Sequence, residues 1–196
     1  MSPPEDLLGV TEAACALFDS LQAAYAVGGA IAQNYWGIVR ATQDADFLLS
    51  LARTRFDDLK EALERAGFVI RKGDGSTHPL SVEEIIRQEG DAHLLVIHRG
   101  LVKVEIFFPI LPLQHSILRR AVRVKLGSRI VPVTTAEDLI VLKLAFGRQK
   151  DLQDVRGILW SQKGRLDLDY IREWAGKTLA ADVCSELEGW IREYAE

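Results

Sequence analysis

Residues 25–50 read "YAVGGAIAQNYWGIVRATQDADFLLS". The apolar run before Gly28-Gly29 predicts a strand over 24–27, and "AIAQNYWGI" after the glycines predicts a helix. Asp44 and Asp46 then alternate into Phe47-Leu48-Leu49, which predicts a strand over 44–51. On a strand, residues i and i+2 leave the same face, roughly 6.5–7 Å apart along the backbone. Asp44 and Asp46 therefore share a face, and Ala45, Phe47 and Leu49 take the other, toward a core.

Outward from this stretch, Ser2-Pro3-Pro4-Glu5 reads as a helix start, with Ser2 as N-cap and Glu5 closing a capping box, and the helix runs to about Leu21. Downstream, 53–67 predicts an amphipathic helix with Phe56, Leu59, Leu63 and Ala66 on one face and Gly67 at its end. "FVIRK" predicts a strand. Residues 73–92 read as a loop holding one short helix, the stretch best suited to be mobile or inserted. "HLLVIHRG" and "LVKVEIFFP" predict a hairpin about Gly100, and "VRVKLGSRIVPVT" a second about Gly127-Ser128, with a helix over 113–121 between them. Thr134-Thr135-Ala136-Glu137 reads as a further capping box opening "EDLIVLKLAFG", and the rest is helical. Strands with interspersed helices followed by helices alone predict an α+β fold, a mixed sheet with a helical C-terminal part.

Composition narrows the function classes. Hydrophobic residues make up 48% of the 196, enough for a packed core, and the net charge of −4 argues against a broad basic surface for nucleic acid. Two cysteines far apart, Cys15 and Cys184, predict a reducing compartment and no disulfide framework. The opening "MSPPEDLLGV" lacks the features of a signal peptide, and no apolar run reaches the ~18 residues a membrane helix needs. A cytoplasmic, soluble protein is expected.

The chemistry is carried by a few side chains. Asp44 and Asp46 can lean on one or two hard cations, and all-oxygen ligands favour Mg²⁺. Metal ions paired about 3.5–4 Å apart are a recurring clamp in phosphoryl and nucleotidyl transfer. Gly28-Gly29 allows close approach of a phosphate, and the helix that follows offers free N–H groups. In "LVKVEIFFP", alternation puts Leu101, Lys103, Glu105 and Phe107 on one face, so Glu105 is a lone acid that could line up beside the first two. Lys143, in a helix apolar nearly all round, shares a face with Leu139 and Phe146 and must either snorkel out or meet an anion. Arg148, Lys150, Asp151 and Asp154 follow as a charged knot.

Gly-Gly followed by Arg40-x-Thr42-x-Asp44-x-Asp46 resembles the signature of the DNA polymerase β-like nucleotidyltransferase superfamily. "AEDLIVLKLAFGRQKDLQDV" (136–155) is similar to a segment of its small bacterial branches, among them the AbiEii-like toxins of abortive-infection systems. The resemblance spans about residues 24–160. It implies a nucleotidyltransferase core with a mixed sheet over 1–133 and a helical part packed on it over 134–196. It also implies that Asp44, Asp46 and Glu105 are catalytic and bind Mg²⁺. Gly28, Gly29 and Lys143 would hold the phosphates of an NTP, most simply ATP, with Arg40 and Thr42 nearby and Arg148, Lys150, Asp151 and Asp154 in support. The reaction implied is transfer of NMP to a hydroxyl with release of pyrophosphate, in a toxin–antitoxin or abortive-infection setting with an antitoxin as partner. The acceptor is open between protein, tRNA and small molecule. Two departures from the family pattern are Gly-Gly for the commoner Gly-Ser and Glu105 for the more usual Asp.

Each residue also has a plainer reading. Gly28-Gly29 alone is a tight turn, Asp44-x-Asp46 a solvated strand end, Glu105 a surface acid and Lys143 a snorkelling chain. Asp151 alone is a helix N-cap near Arg148, Asp154 supports rather than reacts, and Arg40 and Thr42 orient the loop before Asp44. The alternatives in function are a catalytically silent nucleotide- or partner-binding module and a kinase- or hydrolase-like transfer. His78, His93, His98 and His115 lack metal-ligand spacing, and Trp36, Trp160, Trp174 and Trp190 read as helix-packing residues.

Overall fold

The computed structural model describes residues 6–195. Its elements are α1 (Leu7–Ser20), β1 (Ala24–Val27), α2 (Gly29–Trp36), β2 (Asp44–Ser50), α3 (Phe56–Arg65), β3 (Ile70–Arg71), β4 (Thr77–His78), α4 (Val82–Ala92), β5 (Leu94–Arg99), β6 (Val102–Phe107), α5 (Pro112–Arg120), β7 (Val122–Leu126), β8 (Arg129–Val133), α6 (Ala136–Phe146), α7 (Gln149–Ser161), α8 (Leu168–Thr178) and α9 (Ala181–Trp190). They fall into two units. One holds the described residues up to Val27 and Thr42–Val133; the other holds Gly28–Ala41 and the described residues from Thr134 onward.

The first unit is built on a six-stranded sheet in the order β5-β6-β2-β1-β8-β7. Two hairpins, β5-β6 and β7-β8, flank the antiparallel pair β1-β2, which joins them through parallel pairings of β2 with β6 and β1 with β8. The sheet is therefore mixed. Each hairpin turns through two residues, and the first of each, Gly100 and Gly127, has φ of 57°, a left-handed conformation that glycine adopts without steric cost. Along β2, Ala45, Phe47 and Leu49 are buried beneath α1, where Phe18 meets Phe47 edge to face at 5.2 Å between centroids. Leu48 is buried on the opposite face and separates Asp44 and Asp46, at the start of the strand, from Ser50 at its end.

The second unit centres on α6, which packs against α2, α7 and α8. Its buried residues run nearly all round the helix, as the sequence suggests. The segment 28–41 is held to the C-terminal helices by Trp36, whose indole N–H donates to the Thr134 carbonyl at 2.7 Å, and by Gln162, whose amide donates to the Trp36 carbonyl at 2.7 Å.

Several expectations shift. The Ser2–Glu5 capping box lies outside the described residues; the described α1 is capped by Asp6, whose carboxylate accepts from the Gly9 N–H at 2.7 Å. The cap of α6 is Thr135 rather than Thr134, because its hydroxyl accepts from the Asp138 N–H and donates to the Asp138 carboxylate. The helix expected within 73–92 is present and is longer than expected, the 11-residue α4 whose cap Ser81 accepts from the Glu84 N–H, and the stretch also contains β4. Ser81-x-x-Glu84 is a legible capping pattern, and Val82, Ile85 and Ile86 share a face, but only Ile85 is buried, so the apolar face is narrow. The strand expected over "FVIRK" contracts to Ile70–Arg71. Trp160, read as a packing residue, is 65% exposed.

Candidate functional site

The parallel register of β2 and β6 sets Asp44 opposite Lys103 and Asp46 opposite Glu105. Register partners lie about 4.8 Å apart across strands and share a face. Four charged side chains thus form a two-by-two block at the start of β2, over a reverse face made of buried Ala45, Phe47, Val104 and Ile106. Thr42 shapes the approach: its hydroxyl lies 3.4 Å from the Asp44 N–H and 3.3 Å from the Asp44 carbonyl, fixing the turn into β2.

Electrostatics in the block are unusual. Burial, a hydrogen bond with the Glu105 carboxyl and the charges of Glu105 and Asp44 push Asp46 up from 3.8 to about 6, with Lys103 pulling the other way. The Lys103 ammonium lies 3.2 Å from Asp44 Oδ2 and 3.1 Å from Glu105 Oε1, bridging acids on two strands. Burial lowers its pKa, but the hydrogen bonds and charges of Glu105 and Asp44 outweigh that, so the net shift is upward. Among the described residues no three His, Cys, Asp or Glu side chains are arranged to hold a metal ion as they stand. In this block the ammonium of Lys103 supplies positive charge to Asp44 and Glu105. The donors are all carboxylate oxygen and are crowded enough to favour an added cation, which fits a hard divalent ion.

The second unit carries the remaining residues singled out in the sequence. Gly28 stands at the N-cap of α2 with no side chain to cap it, and Gly29 opens the helix at φ 53°. That left-handed φ is what demands glycine. Lys143 does not snorkel. It is 5% exposed, with Nζ 2.5 Å from Asp154 Oδ2 and 3.6 Å from Asp151 Oδ1. Arg40 Nε reaches Asp154 Oδ1 at 3.3 Å, and Arg148 Nε donates to Asp151 Oδ2 at 2.5 Å. The chain Arg148–Asp151–Lys143–Asp154–Arg40 alternates three cations with two buried carboxylates. Asn34 holds its far end by paired 2.9 Å hydrogen bonds to the Arg40 N–H and carbonyl. Lys150 is exposed and makes no ion pair among the described residues.

Two participants escaped the sequence reading. Lys103 was visible on the face of Glu105, but its link to Asp44 depends on a parallel pairing between strands more than fifty residues apart, about which local pattern is silent. Asn34 looked like any polar residue on a short helix, and only the fold reveals its hold on Arg40.

A protein-family model described as "Nucleotidyl transferase AbiEii toxin, Type IV TA system" matches residues 16–160. No curated protein matches the chain by sequence. Among solved structures, the antibiotic-resistance factor ANT(2'')-Ia in solution superposes with a TM-score of 0.55 at 12% identity, over 95% of this chain and 97% of that one. The same factor in complex with adenylyl-2''-tobramycin gives 0.55 at 12% identity, over 87% and 97%. An antigenic nucleotidyltransferase-like protein from Paracoccidioides brasiliensis gives 0.50 at 15% identity, over 95% and 92%. At such identities the likeness establishes the fold: an α+β nucleotidyltransferase fold.

Proposed function

The chain belongs to the AbiEii nucleotidyl transferase family and is a nucleotidyltransferase, and from that premise we propose that it moves AMP from ATP to a hydroxyl acceptor, with Mg²⁺ bound and pyrophosphate released. The observation that carries this reading is the alignment of Asp44, Asp46 and Glu105 on one face of two paired strands. Asp44, Asp46 and Glu105 hold the metal, which when bound supplies charge to the attacking and leaving oxygens of the transfer. The Asp46–Glu105 pair, with Asp46 at about 6, is suited to take a proton from a hydroxyl near neutral pH. Gly28 and Gly29 present backbone N–H groups to phosphate oxygens at the start of α2. Arg40, at the exposed end of the buried network, is the cation of that network suited to meet a phosphate, whereas the charge of Lys143 is met by Asp151 and Asp154, so its part, with Arg148, is to hold the network that fixes Arg40.

The family description supports a toxin–antitoxin setting, with an antitoxin as the expected protein partner. No helix among the described residues is long and apolar enough to cross a membrane. A second reading, a silent nucleotide-binding module, draws support from one contact: Lys103 pairs with two of the three acids.

The label on ATP separates these readings. With Mg²⁺ and cell extract, α-labelled ATP is expected to mark an acceptor while γ-label leaves as pyrophosphate, and Asp44→Ala and chelation are each expected to abolish marking. RNase or protease sensitivity of the product gives the acceptor's class. Transfer of γ-label would make the protein a kinase, and tight Mg·ATP binding without transfer of either label would support the silent module.

A further inference from the structure

We propose that Lys103 is a tethered cation standing in the metal position, displaced when a divalent ion binds, and that it thereby sets the metal affinity of the carboxylate block. The inference rests on the reading of Asp44, Asp46 and Glu105 as metal ligands.

Three observations carry it. The register places Lys103 inside the block, opposite Asp44 and two residues before Glu105 on the same face. Its ammonium contacts one oxygen of each of these acids at hydrogen-bond distance, joining carboxylates that belong to different strands. A divalent ion shared by the same acids would meet this ammonium within a few ångströms, and a +1 and a +2 charge cannot both sit there. The lysine side chain is the partner able to leave. Its flexible four-carbon stem carries a compact, readily hydrated charge, and it is 34% exposed, so it can swing into water without moving β6.

Displacement has a directional consequence. A bare ion must evict the ammonium and leave it with water alone. An ion that arrives on a triphosphate brings anionic oxygens with which the freed ammonium can pair. Lys103 thus biases the block against free metal and toward metal that comes with nucleotide.

Mn²⁺ alone tests this on the whole chain without nucleotide, by the loss of its free-ion spin-resonance signal and by calorimetry. Lys103→Met keeps the stem and removes the charge. It is expected to bind Mn²⁺ about ten- to a hundredfold more tightly than the parent, the range for releasing hydrogen bonds to charged groups. Lys103→Arg, which keeps the charge, is expected to stay within about threefold of the parent. In chelator, Lys103→Met should melt lower than the parent, because Asp44 and Glu105 lose their cation, and Mn²⁺ should raise its melting temperature by more than it raises the parent's. Adding Asp46→Asn to Lys103→Met is expected to abolish the tight binding. If Lys103→Met binds no more tightly while Asp46→Asn still weakens Mn²⁺, the metal site stands and the role of Lys103 is overturned. If Asp46→Asn leaves Mn²⁺ binding by Lys103→Met unchanged, the ligand assignment itself fails and the inference with it.

Discussion

Asp46 and Lys143 are both ionisable groups withdrawn from water, and they are compensated in opposite ways. Asp46 sits beside other acids and is pushed up to about 6, by burial first and by Glu105 and Asp44 next. A carboxyl whose folded value exceeds its unfolded one holds its proton more tightly when folded. Its contribution therefore favours the folded state at acid pH and is lost as pH rises from 3.8 through about 6. Urea unfolding in chelator should show the stability of the parent relative to Asp46→Asn declining across that window. A difference that stays flat would contradict the arrangement. Metal affinity should run the other way and strengthen as pH passes about 6. Lys143 sits instead between Asp151 and Asp154, all three buried. Lys143→Met fits the space but leaves two buried carboxylates without their central cation, and is expected to cost about 3–5 kcal/mol in denaturant unfolding. Lys143→Met with Asp154→Asn should recover part of that loss, a coupling that a surface lysine would not produce.

At the scale of elements, caps rather than apolar content fix where helices begin. Thr135 closes the N-terminus of α6 with two hydrogen bonds to Asp138, whose other carboxylate oxygen accepts from the Tyr170 hydroxyl of α8 at 2.5 Å. Thr135→Ala is expected to lower stability by about 1–2 kcal/mol, the upper part of the range for lost caps because this one is buried. Unchanged unfolding would mean that α6 is held by packing alone. The sheet elements were legible because their signals are local: alternation in β2 and β6, and Gly100 and Gly127 at turns that need a left-handed φ. The pairing of β2 with β6 was not, since parallel partners are joined by a long crossover that leaves no mark on either strand's own pattern. The acids were therefore readable one strand at a time, whereas Lys103 as their shared partner was not. Lys143 shows a similar limit. Its sequence posed the choice of snorkelling or meeting an anion, and the anions proved to be the chain's own Asp151 and Asp154, eight and eleven residues on across the turn from α6 to α7.

Across the whole molecule, the chain crosses between the two units repeatedly. It leaves the first after Val27, returns at Thr42, and leaves again after Val133. Val27 and Val133 are register partners at the ends of parallel strands, so both departures occur side by side from one sheet. The sequence suggested a boundary at 133/134, and the helical unit also takes in 28–41, a grouping carried by Trp36, Arg40 and Gln162. The early segment has a cost during synthesis on the ribosome. At ~5–20 residues per second, the chain needs about 5–20 s to make the ninety or so residues of Thr42–Val133 before the first residue of the helices that receive 28–41 has even been added. Through that interval Trp36 has no Thr134 carbonyl, Arg40 has no Asp154, and Ile38 lacks the Gly157 surface it will lie against. The nascent protein must carry an apolar and charged segment unpartnered until nearly the last helices emerge, so a ribosome stalled before α7 would display it to any chaperone or protease at hand.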